Sequence, residues 1–346
     1  MKYDNLSLEN VCCPFCKDTK GVLLYTVTAS EAATHFILPW QKRDRYEQLK
    51  EQIRDLWNQN TCQVVCCKSC SGVFSWPFVA GDKKFYDLAY SRSGYPQEKW
   101  EYKRALEFLL QTVPTPKLSK INVLEIGAGN GAFIKKIIAA GVNPGNISAI
   151  EYSDYGRKEL EKLNLKLISF ESLPSEKLMS IWRGEFDFIF MFQVIEHLDD
   201  LDGKLTFLRS CISEKGQLIC AVPNPERIYF NELNGALLDM PPNHISRFSK
   251  ASFENLAARN LFELKDFEVQ PLENKLEEFK EFCTYKYLKN SQSRFTLASL
   301  ISRLPSVWKI RGAFQKLYFG LTLILNAIYI SKIRSGSSQL SVLQKV

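Results

Sequence analysis

The chain has 346 residues, 45% hydrophobic and 24% charged, the balance of a water-soluble protein with room for one substantial α/β domain and a small satellite. Met1–Asn10 is polar with no apolar run, so no secretory leader is expected, and the ten cysteines read as cytoplasmic thiols or metal ligands, not a disulfide framework. The net charge of +7 is uneven: Thr284–Val346 carries ten Lys or Arg and no acid, which leaves the rest at −3 and argues against nucleic acid as partner.

Residues 1–80 form the first expected unit. Cys13-Pro-Phe-Cys16 and Cys67-Lys-Ser-Cys70 are two Cys-x-x-Cys knuckles, each able to wrap two thiolates around one ion. Together they complete a tetrahedral set for Zn²⁺, and a closed four-thiolate site is structural because it leaves no position for substrate. Cys12 and Cys66 duplicate the first position of each knuckle, so the spacing leaves open a slip of one residue. Between the knuckles, Gln41–Asn58 carries Trp40, Leu49, Ile53, Leu56 and Trp57 beside many charges, which predicts an amphipathic helix inserted into the module.

Residues 81–118 read as a connector, with a helix over Lys99–Leu110 stopped by Pro114 and Pro116. Over 119–272, apolar runs and helical patterns alternate. Strands are predicted at Asn122–Ile126, Ile147–Glu151, Leu165–Ser169, Phe186–Met191, Gln217–Val222 and Phe262–Val269. Helices are predicted at Gly131–Ala140, Tyr155–Lys162, Leu201–Cys211 and Lys250–Arg259. This alternation predicts a Rossmann-like, mostly parallel sheet, seven-stranded once Ser338–Lys345 is added as its last strand.

The first strand runs into Gly127-Ala-Gly-Asn-Gly131. Glycines there let the backbone turn sharply and approach a ligand that a β-carbon would exclude. The helix that follows offers its N-terminal amides to negative groups. The second strand ends in Glu151, about 20 residues on, where such folds place a carboxylate for ribose hydroxyls. The loop alone does not separate one nucleoside cofactor from another, since a dinucleotide enzyme shares this logic.

Val123-Leu-Glu-Ile-Gly-Ala-Gly-Asn-Gly131 resembles motif I of class I S-adenosylmethionine-dependent methyltransferases. Phe186–Leu198, with its Gln-Val-Ile-Glu-His, resembles the fourth-strand motif of the ubiquinone-methyltransferase-like branch. Ala221-Val-Pro-Asn224 and Met240–Ser249 resemble its fifth-strand end and its Pro-Pro-His-His…Phe-Ser loop. The cysteine module resembles zinc ribbons found ahead of methyltransferase domains in natural-product, sugar and cell-surface polysaccharide pathways. The resemblance implies S-adenosylmethionine as cofactor. Glu125, Gly127, Ala128, Gly129 and Gly131 then face its methionine end, Glu151 its ribose, Phe170 and Glu171 its adenine, and Gln193 its methionyl group and the substrate opening. Asp187 is expected to be structural.

Only three histidines are present, and His35 matches no pattern. Methyl transfer from a sulfonium needs an aligned nucleophile and, where required, a base to take its proton. His197, with Glu196 to orient it, and His244 are the catalytic candidates. Asn243 stands where the family has the first of two adjacent histidines.

Residues 273–336 read as a basic helical insertion. Leu317–Ile330 is a 14-residue apolar stretch flanked by Lys309, Arg311, Lys316, Lys332 and Arg334. It is shorter than the ~20 residues a membrane span needs. That leaves a cap over the substrate opening, or an interfacial helix giving peripheral contact with the inner face of a membrane through 295–334. The function expected is methyl transfer to a small molecule or a saccharide-type intermediate. An RNA methyltransferase and a non-catalytic cofactor-binding scaffold at a membrane surface are the alternatives.

Overall fold

The computed structural model describes residues 4–90, 95–168, 180–234, 240–291, 293, 296–304 and 309–346. The chain begins with β1 (Leu6–Leu8) and β2 (Gly21–Thr28), then turns into α1 (Ala29–Phe36) through a capping box. Thr28 Oγ1 accepts from Glu31 N at 3.2 Å, while the Glu31 carboxylate accepts from Thr28 N at 2.9 Å. The inserted helix is α2 (Arg43–Trp57); it buries Tyr46, Leu49, Ile53 and Trp57, spaced at three and four residues, and ends at Asn58 in the left-handed region. β3 (Thr61–Cys67) and β4 (Val73–Trp76) complete an antiparallel sheet ordered β1-β2-β3-β4.

Two connector helices follow, α3 (Lys83–Ala89) and α4 (Trp100–Thr112). The main sheet then starts with β5 (Val123–Ile126), α5 (Ala132–Ala139), β6 (Ile147–Ile150), α6 (Asp154–Leu160) and β7 (Lys166–Ile168). β8 (Phe186–Phe192), α7 (Leu201–Cys211), β9 (Ile212–Pro223) and α8 (Pro225–Leu233) continue it. A two-residue strand, β10 (Ser246–Arg247), leaves this sheet and pairs antiparallel with β4, so the cysteine module gains a strand from the loop that carries His244. Sequence reading took that segment as loop, because the pairing joins stretches about 170 residues apart and only the partner reveals it.

α9 (Lys250–Arg259) and β11 (Phe262–Val269) lead into the insertion, made of α10 (Lys275–Ser291), α11 (Leu297–Arg303) and α12 (Lys309–Leu325). The chain returns through β12 (Ser338–Lys345). The seven-stranded order is β11-β12-β9-β8-β5-β6-β7, with β12 antiparallel to both neighbours and β5 to β9 parallel. The expected mostly parallel Rossmann-like sheet is therefore the one observed. Differences are local: β9 begins at Ile212, ahead of the expected Gln217, after a register shift against β8.

The order reverses at β5, whose neighbours are β6 on one side and β8 on the other. In open α/β sheets that switch point, at the strands' carboxyl ends, is where ligands bind. β5 and β6 are buried throughout, as parallel strands covered on both faces must be. One core layer packs α4 and α5 on the sheet, around Phe133, Phe190 and Phe192. The other face runs without a break into the cysteine module, where Phe15 packs edge-on against Phe74 and Phe248.

The insertion has a small core of Phe279, Phe282, Cys283 and Ile333 with Phe319 and Leu323, against which Phe230 of α8 also packs. Among the described residues, no helix is long and apolar enough to cross a membrane.

Candidate active site and thiol cluster

Gly127, Gly129 and Gly131 all adopt positive φ, at 74°, 55° and 74°. Backbone N–H groups of Gly127 and Ala128 donate to Ile150 O at 2.9 and 3.1 Å, which fastens the loop to the end of β6. A β-carbon on Gly127 would lie 2.5 Å from Val194 Cγ2, and one on Gly129 would meet the Tyr95 ring at 3.0 Å. Glycine is thus required there by both conformation and space.

Glu151 organises this end of the sheet. One carboxylate oxygen accepts from Gly129 N at 2.7 Å, and the other accepts from Ser153 N at 2.7 Å and Tyr95 OH at 3.3 Å. Tyr95 also shares a 2.7 Å hydrogen bond with Ser153 Oγ and stacks on Tyr155, so an aromatic from the connector lies over the glycine loop. Sequence reasoning missed Tyr95; an isolated tyrosine before a helix carries no spacing signal. Phe170 and Glu171, assigned there to adenine, lie outside the described residues.

Glu125 is 2% exposed, and burial together with the neighbouring Glu151 holds its carboxyl well above the ordinary carboxylate range, while Lys99 opposes the shift. Its Oε2 has no hydrogen-bond partner among the described residues. Gln193 follows β8 with φ of 58°, a conformation that costs a non-glycine residue about 1 kcal/mol or more and is held by its N–H donating to Ala221 O at 2.8 Å. Its side-chain Nε2 lies 3.3 Å from Glu101 Oε1 and 3.4 Å from Ser338 Oγ. Lys99 Nζ sits 3.6 Å from the same Glu101 oxygen. Lys99, Glu101 and Ser338 were not expected here, since they come from the connector and from the last strand.

A second group stands just beyond β8, on a short turn over Ile195–His197. His197 Nδ1 lies 2.7 Å from Asn243 O and 3.2 Å from Tyr86 OH. The His197 and His244 rings meet edge-on at 4.4 Å between centroids. Glu196 is fully buried beside them, and the candidate ligating atoms of Glu196, His197 and His244 all lie within 4.8 Å of one another. The loop is pinned through backbone bonds, Ile245 N to Glu196 O at 3.0 Å and Ser75 N to Ile245 O at 2.9 Å. Asn243, where the family carries histidine, receives Tyr90 OH on its side-chain oxygen at 3.1 Å. Burial, with Tyr90 and Glu196 nearby, pushes the Tyr86 hydroxyl strongly upward, so it stays a hydroxyl, whose oxygen can accept from His197 Nδ1. Asp187 accepts from Asn122 N at 2.9 Å and sits at the far end of β8, away from these groups.

In the cysteine module, Cys13, Cys16, Cys67 and Cys70 bring their four Sγ atoms within 4.8 Å of one another. Cys13 and Cys70 are 3.6 Å apart and Cys16 and Cys67 3.5 Å. Zn–S bonds near 2.3 Å in a tetrahedron require S···S edges of about 3.8 Å, so the donor set fits that ion. The hydrogen bond with the Cys70 thiol, and then burial, push Cys13 well up, and four thiolates this close repel unless a cation joins them. Cys12 is exposed, and Cys66 points its sulfur at the backbone oxygens of Cys67 and Ser71 instead. Adjacent residues on β3 face opposite sides, which separates Cys66 from Cys67.

A parallel sheet with one reversed strand, a glycine turn after its first strand and an acid after its second define a nucleoside-binding α/β domain. Residues 97–265, just under half of the chain, match the family model described as a methyltransferase domain. The ubiquinone biosynthesis O-methyltransferases of Rickettsia felis and Rickettsia akari are similar to it, 25% and 26% identical over 126 and 127 residues. Those alignments cover 34% of this chain and 49% and 48% of the relatives, so the chain spans about half the length of the curated relatives it matches. Among solved structures, phosphoethanolamine N-methyltransferase 2 of Haemonchus contortus in complex with S-adenosyl-L-methionine aligns at 13% identity and TM-score 0.40, covering 75% of this chain and 56% of that one.

Proposed function

We propose that this protein transfers the methyl group of S-adenosylmethionine to a small molecule, with saccharide-type intermediates as the substrate class. The observation that carries the reading is the Glu151 carboxylate bonded to the Gly129 amide at the switch point of the sheet. The names of the Rickettsia relatives, which are small-molecule O-methyltransferases, support the coarser part of it.

The bound cofactor supplies a methyl group already activated on a sulfonium. The chain's own residues then bind, orient and move a proton. The buried Glu125 oxygen without a partner suits the cationic amine of the methionyl tail. Glu151 accepts from ribose hydroxyls as Tyr95 gives way, because a carboxylate has lone pairs for both. Phe170 and Glu171 serve the adenine. Gln193 marks the opening toward substrate. His197 takes the nucleophile's proton on Nε2, with Glu196 and His244 flanking it.

Cys13, Cys16, Cys67 and Cys70 hold a structural Zn²⁺ in this reading, and a cytoplasmic location keeps the thiols reduced. A screen of sugar nucleotides and phenolic acids, scored by release of S-adenosylhomocysteine, tests the reading. Release that depends on acceptor and disappears in His197→Ala supports it; release unaffected by that substitution refutes the assigned base.

A further inference from the structure

Helix α12 has two apolar faces. Its inner face sets Phe319 and Leu323 against the insertion's core and buries Thr322, and Asn326 just past its end is buried too, with Lys286 Nζ 2.6 Å from Asn326 Oδ1. Its outer face carries Phe314, Leu317, Leu321, Ile324 and Leu325, continued by Ile328 in the turn that follows. These are 47, 61, 45, 73, 78 and 69% exposed. Their spacing repeats at three and four residues, so they form one continuous stripe. A helix on the surface of a water-soluble domain normally shows polar residues there.

The charge around the stripe says what covers it. Thr284–Val346 holds ten basic residues and no acid, while the rest of the chain is net −3. Lys316, Lys332 and Arg334 are exposed beside the stripe. A second copy of this chain would bring the same positive charge against it, whereas an anionic surface complements it. The stripe is confined to one side of a helix too short to span, the pattern of a helix lying in the lipid interface.

The insertion also sits at the carboxyl end of the main sheet. Asn224, just past β9, donates through Nδ2 to Ser335 Oγ and Gly336 O, both at 2.9 Å, and Arg227 pairs with Glu278 at 3.1 Å.

We propose that the outer face of α12 and the turn after it dock this protein on an anionic membrane surface, with the helix lying in the interface and the carboxyl end of the main sheet turned toward the bilayer. The proposal does not depend on the methyl-transfer reading. The test is co-sedimentation of the full chain with vesicles of phosphatidylcholine alone and of phosphatidylcholine mixed with phosphatidylglycerol. The chain is expected to pellet with the mixed vesicles only and to be released by high salt. Leu317→Glu combined with Ile324→Glu should remain in the supernatant with an unchanged melting temperature. Lys316→Gln, at an exposed position of the helix, should weaken binding roughly fivefold and decide the matter if the double variant misfolds. Failure of the native chain to pellet, or equal binding to both vesicle types, overturns the proposal. So does a dimer in sedimentation equilibrium that the double variant splits.

Discussion

His197 Nδ1 lies 2.7 Å from the backbone carbonyl oxygen of Asn243. A carbonyl can only accept, so Nδ1 carries the proton and Nε2 keeps the lone pair. A main-chain atom therefore orients the ring of His197, the base in the proposed mechanism. His197→Ala should lower kcat by about 10²–10⁴-fold while leaving cofactor affinity unchanged. Asn243→Ala, which keeps the carbonyl, should cost far less. Steady-state kinetics paired with calorimetric cofactor titration of both variants checks this; comparable losses in kcat would remove the base from His197.

Glu125 is held well above the ordinary carboxylate value of 4.5 by burial, with no hydrogen bond to its Oε2. The folded state binds this proton more tightly than the unfolded state, so stability is full below that value and declines as pH rises above it. Glu125→Gln should consequently raise the melting temperature of the cofactor-free protein at neutral pH. The advantage should vanish toward pH 4.5, and cofactor binding should weaken throughout. A gain independent of pH would mean the effect is packing and not ionisation.

The thiol cluster and the His244 loop are joined through β4 and β10. Stripping the metal with a chelator should lower the melting temperature and, through that strand pairing, slow turnover. Cys67→Ser should lose one zinc equivalent by elemental analysis, and Cys66→Ser should keep it. Loss of zinc in the Cys66 variant instead would shift the ligand set by one residue.

Arg247 on β10 donates to both Glu232 oxygens, at 2.9 and 2.7 Å, and to Tyr25 OH at 2.7 Å, all of them buried. The three come from the cysteine module, α8 and the His244 loop, so the network ties the module to the site. Arg247→Met leaves a buried carboxylate without its cation and should destabilise the protein by about 3–5 kcal/mol. Denaturant unfolding of the variant measures it; a loss below about 1 kcal/mol would show the network to be solvent-accessible.

Much of the main sheet was legible because single segments carry their own pattern. Leu201–Cys211, Lys250–Arg259, Phe262–Val269 and Ser338–Lys345 occupy the expected spans, each set by apolar periodicity and turn residues. The four knuckle cysteines come together as their spacing implied. What escaped is relational. Tyr86, Tyr90, Tyr95 and Glu101 reach the candidate site from the connector, and β10 becomes a strand only because β4 offers it an edge. Periodicity reports which face of an element is buried, and carries nothing about which distant side chain will lie against it.

The central claim is that the Gly127–Gly131 loop and Glu151 hold S-adenosylmethionine. Isothermal titration with S-adenosylhomocysteine, on the native chain and on Glu151→Ala, tests it most directly. The account predicts saturable binding at one site per chain, weakened more than about tenfold in the variant, the loss of 1.4 kcal/mol or more expected for charge-assisted hydrogen bonds. Absence of binding to the native chain, or equal affinity in the two proteins, would contradict it.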